Sequence, residues 1–136
     1  MLAGDQQVVV ELLHKAGWAY DTRNVNWLVD LFLPDGQFDL QIQSGDVLSF
    51  PGQNRIRDLY VDALASQNDQ RRHIITNVFF DSVTPSSMTA RSDVTLIAVM
   101  SGNLNIVSTG VYTDQLIKYE DRWRIKHRFE YLDRPF

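Results

Sequence analysis

Between residues 71 and 132 the apolar residues recur with a period of two, whereas before residue 68 they recur mostly at helical spacing. A side-chain period of two belongs to strands and a period of 3.6 to helices, so the two halves cannot share one kind of secondary structure. The alternation predicts strands over about 72–83, 89–101, 104–119 and 122–132. Pro85-Ser86-Ser87, Gly102-Asn103 and Glu120-Asp121 are their turns. Connections this short suit antiparallel neighbours, since parallel ones need long crossovers, and the last three strands read as a meander.

The first half supplies helices. Val9, Leu12, Leu13, Ala16, Ala19 and Tyr20 share one face and predict a helix over 5–22. Asn24 is a good N-cap for a short second helix that buries Leu28, Leu31 and Phe32 and stops at Pro34-Asp35-Gly36. Phe38, Leu40 and Ile42 alternate with Asp39, Gln41 and Gln43 in a half-buried strand over 36–43. Ser44-Gly45-Asp46 reads as its turn and 47–50 as a short return strand. A third helix over about 53–67 carries the stripe Ile56, Leu59, Tyr60, Ala63 and Leu64. Helices first and long antiparallel strands last describe an α+β domain with helices packed on one sheet face. Strands of about 10–15 residues exceed the usual 5 or 6, and long twisted strands curl. A curled sheet capped by helices encloses one apolar pocket.

The bulk numbers exclude several classes. The 136 residues fit one domain, taken as 1–136, and 44% apolar content fills a core. There is no cysteine, hence no disulfide, thiolate nucleophile or Cys-ligated zinc, which fits a reducing cytoplasm. The N-terminal segment lacks the pattern of a secretory leader, and no run approaches the ~20 apolar residues of a bilayer span. A net charge of −4 without a basic stripe argues against nucleic acid as partner. No phosphate-binding glycine loop, nucleophile elbow or metal-spaced histidine cluster occurs.

Of the three histidines, His73 opens the first long strand, with Ile75, Asn77 and Phe79 on its side and Ile74, Thr76, Val78 and Phe80 on the other. Both sides are largely apolar, so the strand is expected to be covered on both and His73 partly enclosed. It fits a hydrogen-bonded strand-end residue or a functional base. Asp21 ends an apolar helical face, where the macrodipole favours cations rather than carboxylates. It fits a polar inter-helix connection or a residue kept for another reason. His127 alternates with Trp123, Ile125 and Phe129 and is expected on their apolar side as a satisfied core or rim residue. His14 reads as structural. Asp58 and Asp62, opposite the third helix's stripe, read as a solvated face.

Several segments carry a family resemblance: Trp18-Ala19-Tyr20-Asp21, Leu31-Phe32-Leu33-Pro34-Asp35-Gly36-Gln37-Phe38, Arg72-His73-Ile74-Ile75-Thr76-Asn77, Gly110-Val111-Tyr112-Thr113-Asp114 and Trp123-Arg124-Ile125-Lys126-His127-Arg128. With these the chain, from about residue 6 to 132, resembles the SnoaL-like branch of the nuclear transport factor 2-like superfamily. The resemblance implies a cone: helices cover a strongly curved mixed sheet whose mouth opens on one deep pocket. The superfamily includes scytalone dehydratase, a dehydrochlorinase of chlorinated cyclohexanes, bile-acid dehydratase, ketosteroid isomerase, polyketide cyclases and dioxygenase β subunits.

In its dehydratase and dehydrochlorinase members an Asp ending helix 1 and a His opening the first long strand form a dyad, and Asp21 and His73 match those positions. Tyr20 matches the Tyr before the Asp in scytalone dehydratase. That enzyme's second histidine, on the next strand, has no counterpart in Asp93-Val94-Thr95-Leu96-Ile97-Ala98-Val99-Met100. The implied activity is a cofactor-free dehydratase, other lyase or isomerase acting on a small, apolar, cyclic substrate. His73 is its base and Asp21 the orienter. Tyr20, Phe38, Tyr60, Leu96 and Tyr112 are the candidate substrate-binding residues, and no metal is expected. The alternatives are a ligand-binding or dioxygenase β-like accessory subunit, or a polyketide cyclase or epoxide hydrolase. For the hydrolase, Asp93, Arg91 and Asp114 are available by type. A homodimer or homotrimer built through the outer sheet surface is the expected assembly.

Overall fold

The computed structural model describes residues 2–136. Its element order is α1 (Leu2–Asp21), α2 (Val25–Asp30), β1 (Phe32–Ile42), β2 (Leu48–Pro51), α3 (Gly52–Ala65), β3 (Gln70–Val83), β4 (Ser87–Met100), β5 (Asn103–Tyr119) and β6 (Arg122–Leu132). Asn24 caps α2, its side chain accepting from the Trp27 N–H at 3.1 Å. The apolar faces of α1 and α3 pack onto one side of the sheet: Val9, Leu13, Ala16 and Ala19 from α1, Ile56, Tyr60 and Leu64 from α3. Asp58 and Asp62 are exposed. No described helix is long and apolar enough to cross a membrane.

The six strands form one curved, unclosed sheet in the order β2-β1-β6-β5-β4-β3. β3 to β6 form an antiparallel meander, while β1 pairs with β6 in parallel, which makes the sheet mixed. The curvature has identifiable causes, since a bulge adds one residue to one strand, bends it and strengthens its twist. The β3–β4 register shifts between Thr76 and Phe79, where Asn77 takes a left-handed φ of 56°. The β4–β5 register shifts at Val107, and the β5–β6 register shifts at Lys126.

These bulges change which side chains face inward. In β3, His73 and Ile75 are half-buried, but beyond Asn77 the covered residues are Val78 and Phe80, while Phe79 is 54% exposed. The expectation that β3 is covered on both sides is corrected: β3 is an edge strand and its outer face is open, with Ile74 41% exposed. In β6, Trp123 and Ile125 face the core, and after Lys126 the inward positions are Arg128, Glu130 and Leu132. His127 therefore points to the outer face, not to the apolar row expected for it. There its Nε2 lies 2.8 Å from Asp39 Oδ2.

At the N-terminal side, β1 begins at Phe32, earlier than the predicted strand, and Phe32 belongs to it rather than to α2. Pro34-Asp35-Gly36 forms an irregularity inside β1, between the pairs Phe32–Ile125 and Gln37–His127. Proline lacks the N–H a ladder needs but fits a bulge, so the strand bends there instead of ending.

Candidate active site

The last residue of α1 and the fourth residue of β3 meet side chain to side chain. Asp21 Oδ1 lies 2.6 Å from His73 Nδ1, and Asp21 Oδ2 accepts the His73 backbone N–H at 2.8 Å. Both oxygens of one carboxylate are thus used on one residue, which offsets an unfavourable place at a helix C-terminus. The pair is well covered, with 9% of the His73 side chain and 7% of the Asp21 side chain exposed. Gly17, one turn before Asp21, permits the approach, because a Cβ there would lie 3.0 Å from His73 Cβ. Gln70 donates to the Asp21 carbonyl at 2.9 Å, tying the same corner together.

An acceptor-only carboxylate on Nδ1 requires that nitrogen to carry the proton. Nε2 is then the basic nitrogen, and it has no hydrogen-bond partner among the described residues. His73 lines a pocket between the helices and the concave sheet face. Asp21 itself stands behind His73 and does not line this pocket.

Tyr20, Phe38, Tyr60, Leu96 and Tyr112 all line the same pocket. The aromatic rings interlock: Tyr60 meets Tyr20 and Phe38 edge-on, each at 5.9 Å, and Tyr20 tilts against His73 at 4.6 Å. The Tyr20 hydroxyl donates to Gln67 Oε1 at 2.8 Å. Burial pushes the Tyr20 phenol up to about 12 and also raises Tyr60 and Tyr112, so all three remain neutral donors. The space open to water centres is about 40 Å³. A single water needs roughly 10–15 Å³ on that measure, so the void holds a few.

Three charged residues line the pocket that the alternation did not place there: Arg71, Arg128 and Glu130. Arg128 donates to Asp114 through Nε at 2.7 Å and through its terminal nitrogen at 3.2 Å, and its guanidinium lies 3.8 Å from the centre of the Tyr112 ring. Burial opposes the Arg128 charge, but the Asp114 carboxylate outweighs it and holds the guanidinium charged. Burial raises the Glu130 carboxyl above its ordinary value, and the charges of His73 and Arg128 and the Tyr112 phenol offset part of that. The available signal was a change of parity, with Trp123 and Ile125 at odd positions and Leu132 at an even one. Phe129 and Tyr131 mask it by remaining apolar and half-buried on the outer side.

The alternative group Asp93, Arg91 and Asp114 does not assemble. Asp114 is fully buried on the inner face, whereas Arg91 pairs with Asp81 and Asp93 accepts from Asn77 at exposed contacts. Alternation along β4 sends Arg91 and Asp93 outward, opposite Ser92 and Val94. His14 is exposed on α1. Among the described residues no three His, Asp or Glu side chains converge as metal ligands.

A family model described as SnoaL-like domain matches residues 3–129. No curated protein matches the chain. Among solved structures it is similar to the β subunit of a candidate aromatic-ring-hydroxylating dioxygenase from Novosphingobium aromaticivorans, at 18% identity over 98% of this chain and 92% of that one, with a TM-score of 0.84. It is also similar to a candidate scytalone dehydratase from the same organism, at 16% identity over 96% and 85%, with a TM-score of 0.78. ActVI-ORFA from Streptomyces coelicolor is a third, at 18% identity over 92% and 95%, with a TM-score of 0.80. Likeness at these identities establishes the fold alone.

Proposed function

This chain belongs to the SnoaL-like domain family, and from that premise we propose that it is a cofactor-independent lyase or isomerase acting by proton abstraction. The observation that carries the reading is the 2.6 Å contact of Asp21 with His73 Nδ1, with His73 lining the pocket. Asp21 holds the imidazole in the tautomer with Nε2 unprotonated and stabilises the imidazolium that forms. Nε2 removes a proton from carbon next to a carbonyl or leaving group. A positioned base of this kind contributes ~10²–10⁴-fold in rate. Much of the pocket wall is aliphatic and aromatic, which suits a small, largely apolar, cyclic substrate, and its burial from water strengthens the electrostatics of the transfer. The candidate scytalone dehydratase among the similar structures supports a dehydration or related β-elimination.

The test is a screen of hydroxylated and halogenated cyclic compounds against wild type and His73→Ala. Elimination or isomerisation lost with His73 is the expected outcome; ligand binding without turnover in either protein refutes it. A second reading, a non-catalytic accessory subunit, draws on the narrow void and on the similar dioxygenase β subunit. Co-purification with a larger oxygenase subunit is its signature. In either case the open outer face of β3–β5, with Ile74, Phe79 and Val111 exposed, is the surface expected to join copies into a dimer or trimer. Light scattering of the purified protein measures that.

A further inference from the structure

Glu130 is a buried carboxyl that the proton-abstraction reading leaves idle. It is 9% exposed, lines the same pocket as His73, and forms no ion pair among the described residues. Its neighbour on the inner face of β6, Arg128, spends its fork on Asp114. On the concave floor Glu130 sits between Leu40 of β1 and Tyr112 of β5, its partners in register. β4 and β5 separate it from His73 in the sheet, and both groups line the same void.

An acid kept in such a place, unpaired and desolvated, favours its neutral form. The groups acting on it are His73 from β3, Arg128 on its own strand, and Tyr112 and Asp114 from β5. Tyr60 of α3 and Tyr20 of α1 feel its charge in turn.

We propose that Glu130 is the proton donor to the leaving oxygen of a β-hydroxy carbonyl substrate, with His73 as the base. The inference rests on the proposed proton abstraction and narrows it to hydroxyl departure. His73 Nε2 takes the proton from the carbon next to the carbonyl, and the carbon–carbon double bond forms from that electron pair. The bond to the β-oxygen breaks, and the departing hydroxyl takes the Glu130 proton and leaves as water. His73 is then an imidazolium and Glu130 a carboxylate, each stabilised by the other's charge. The released water carries the proton from His73 back to Glu130, restoring both. A halide or acylate leaves without this help, whereas hydroxide does not.

The test compares 3-hydroxycyclohexanone with 3-acetoxycyclohexanone as probes, together with infrared difference spectra of wild type minus Glu130→Gln. The expected spectrum shows a protonated carboxyl band at neutral pH that the variant lacks. Glu130→Gln, which keeps the shape, slows elimination from the hydroxy ketone by ~10²–10⁴-fold while largely sparing the acetoxy ketone. An amide infrared band and a urea midpoint matched to wild type show separately that the variant is folded. Absence of the protonated band, or equal slowing on both probes, overturns the donor role while leaving the base in place. Turnover of neither probe by wild type, or rates unaltered by His73→Ala, overturns the proton-abstraction reading and the donor role with it.

Discussion

Among the described residues there are two Asp–His pairs, one on each face of the same sheet. Asp21–His73 closes at 2.6 Å on the concave side and Asp39–His127 at 2.8 Å on the outer side. By distance alone they are equivalent. Their surroundings differ. The inner pair uses both carboxylate oxygens on one histidine residue, leaves Nε2 without a partner among the described residues, and His73 lines a pocket. The outer pair uses Nε2 for the aspartate, its histidine side chain is 31% exposed, and the Asp39 carboxylate is shared with Gln37. A histidine–carboxylate contact becomes a candidate base only where a void meets the other ring nitrogen and water is scarce.

The largest expected separation between the pairs is in activity. Asp21→Asn keeps the oxygen that accepts the His73 backbone N–H but turns an amide N–H toward Nδ1. The ring must then carry its proton on Nε2, where it cannot act as a base. Turnover should fall by ~10²–10⁴-fold, and likewise for His73→Ala, while Asp39→Asn and His127→Ala leave it unchanged. Steady-state rates of the four variants decide this, and an equal loss from the outer pair breaks the distinction.

Next in size is the cost of breaking ion pairs on the two faces. Asp114→Asn strands the Arg128 charge, which is 3% exposed, and should destabilise by about 3–5 kcal/mol. Asp81→Asn breaks the pair with Arg91 on the outer face, where both side chains are over 40% exposed, and should cost at most ~1 kcal/mol. Urea denaturation of both variants measures the contrast.

The two faces should also respond to pH with opposite sign. Glu130 has a raised folded-state value, mainly through burial. Its favourable contribution is complete below the ordinary 4.5 and is lost as pH rises through the folded value. Asp39 is the reverse: burial pushes it up, but hydrogen bonds from Gln37, His127 and Ser49 outweigh that and hold it below 3.8. Its contribution is present above 3.8 and is lost as pH falls through the folded value. Melting curves should show Glu130→Gln gaining on wild type as pH rises above 4.5, and Asp39→Asn losing least in acid. The smallest effect is the stability change of His127→Ala, a few tenths to ~1 kcal/mol.

Much of this molecule is legible in its residue order. The change of period near residue 70 determines an α+β chain with helices first, and short turns determine the meander of the last three strands, β4 to β6. The end of α1 at Asp21 and the start of β3 near His73 follow from local patterns, because helix faces and strand ends depend on neighbours in sequence. Tertiary structure decided which alternate residues face the pocket. Each bulge inserts one residue and inverts the parity beyond it, so Lys126 turns His127 outward and Arg128 and Glu130 inward, and Asn77 turns Phe79 outward. Asn tolerates a positive φ and gave a faint local sign of its bulge; Lys126 gave none. A bulge is set by pairing with the adjacent strand and by the curvature the helices impose, and neither partner lies nearby in the chain.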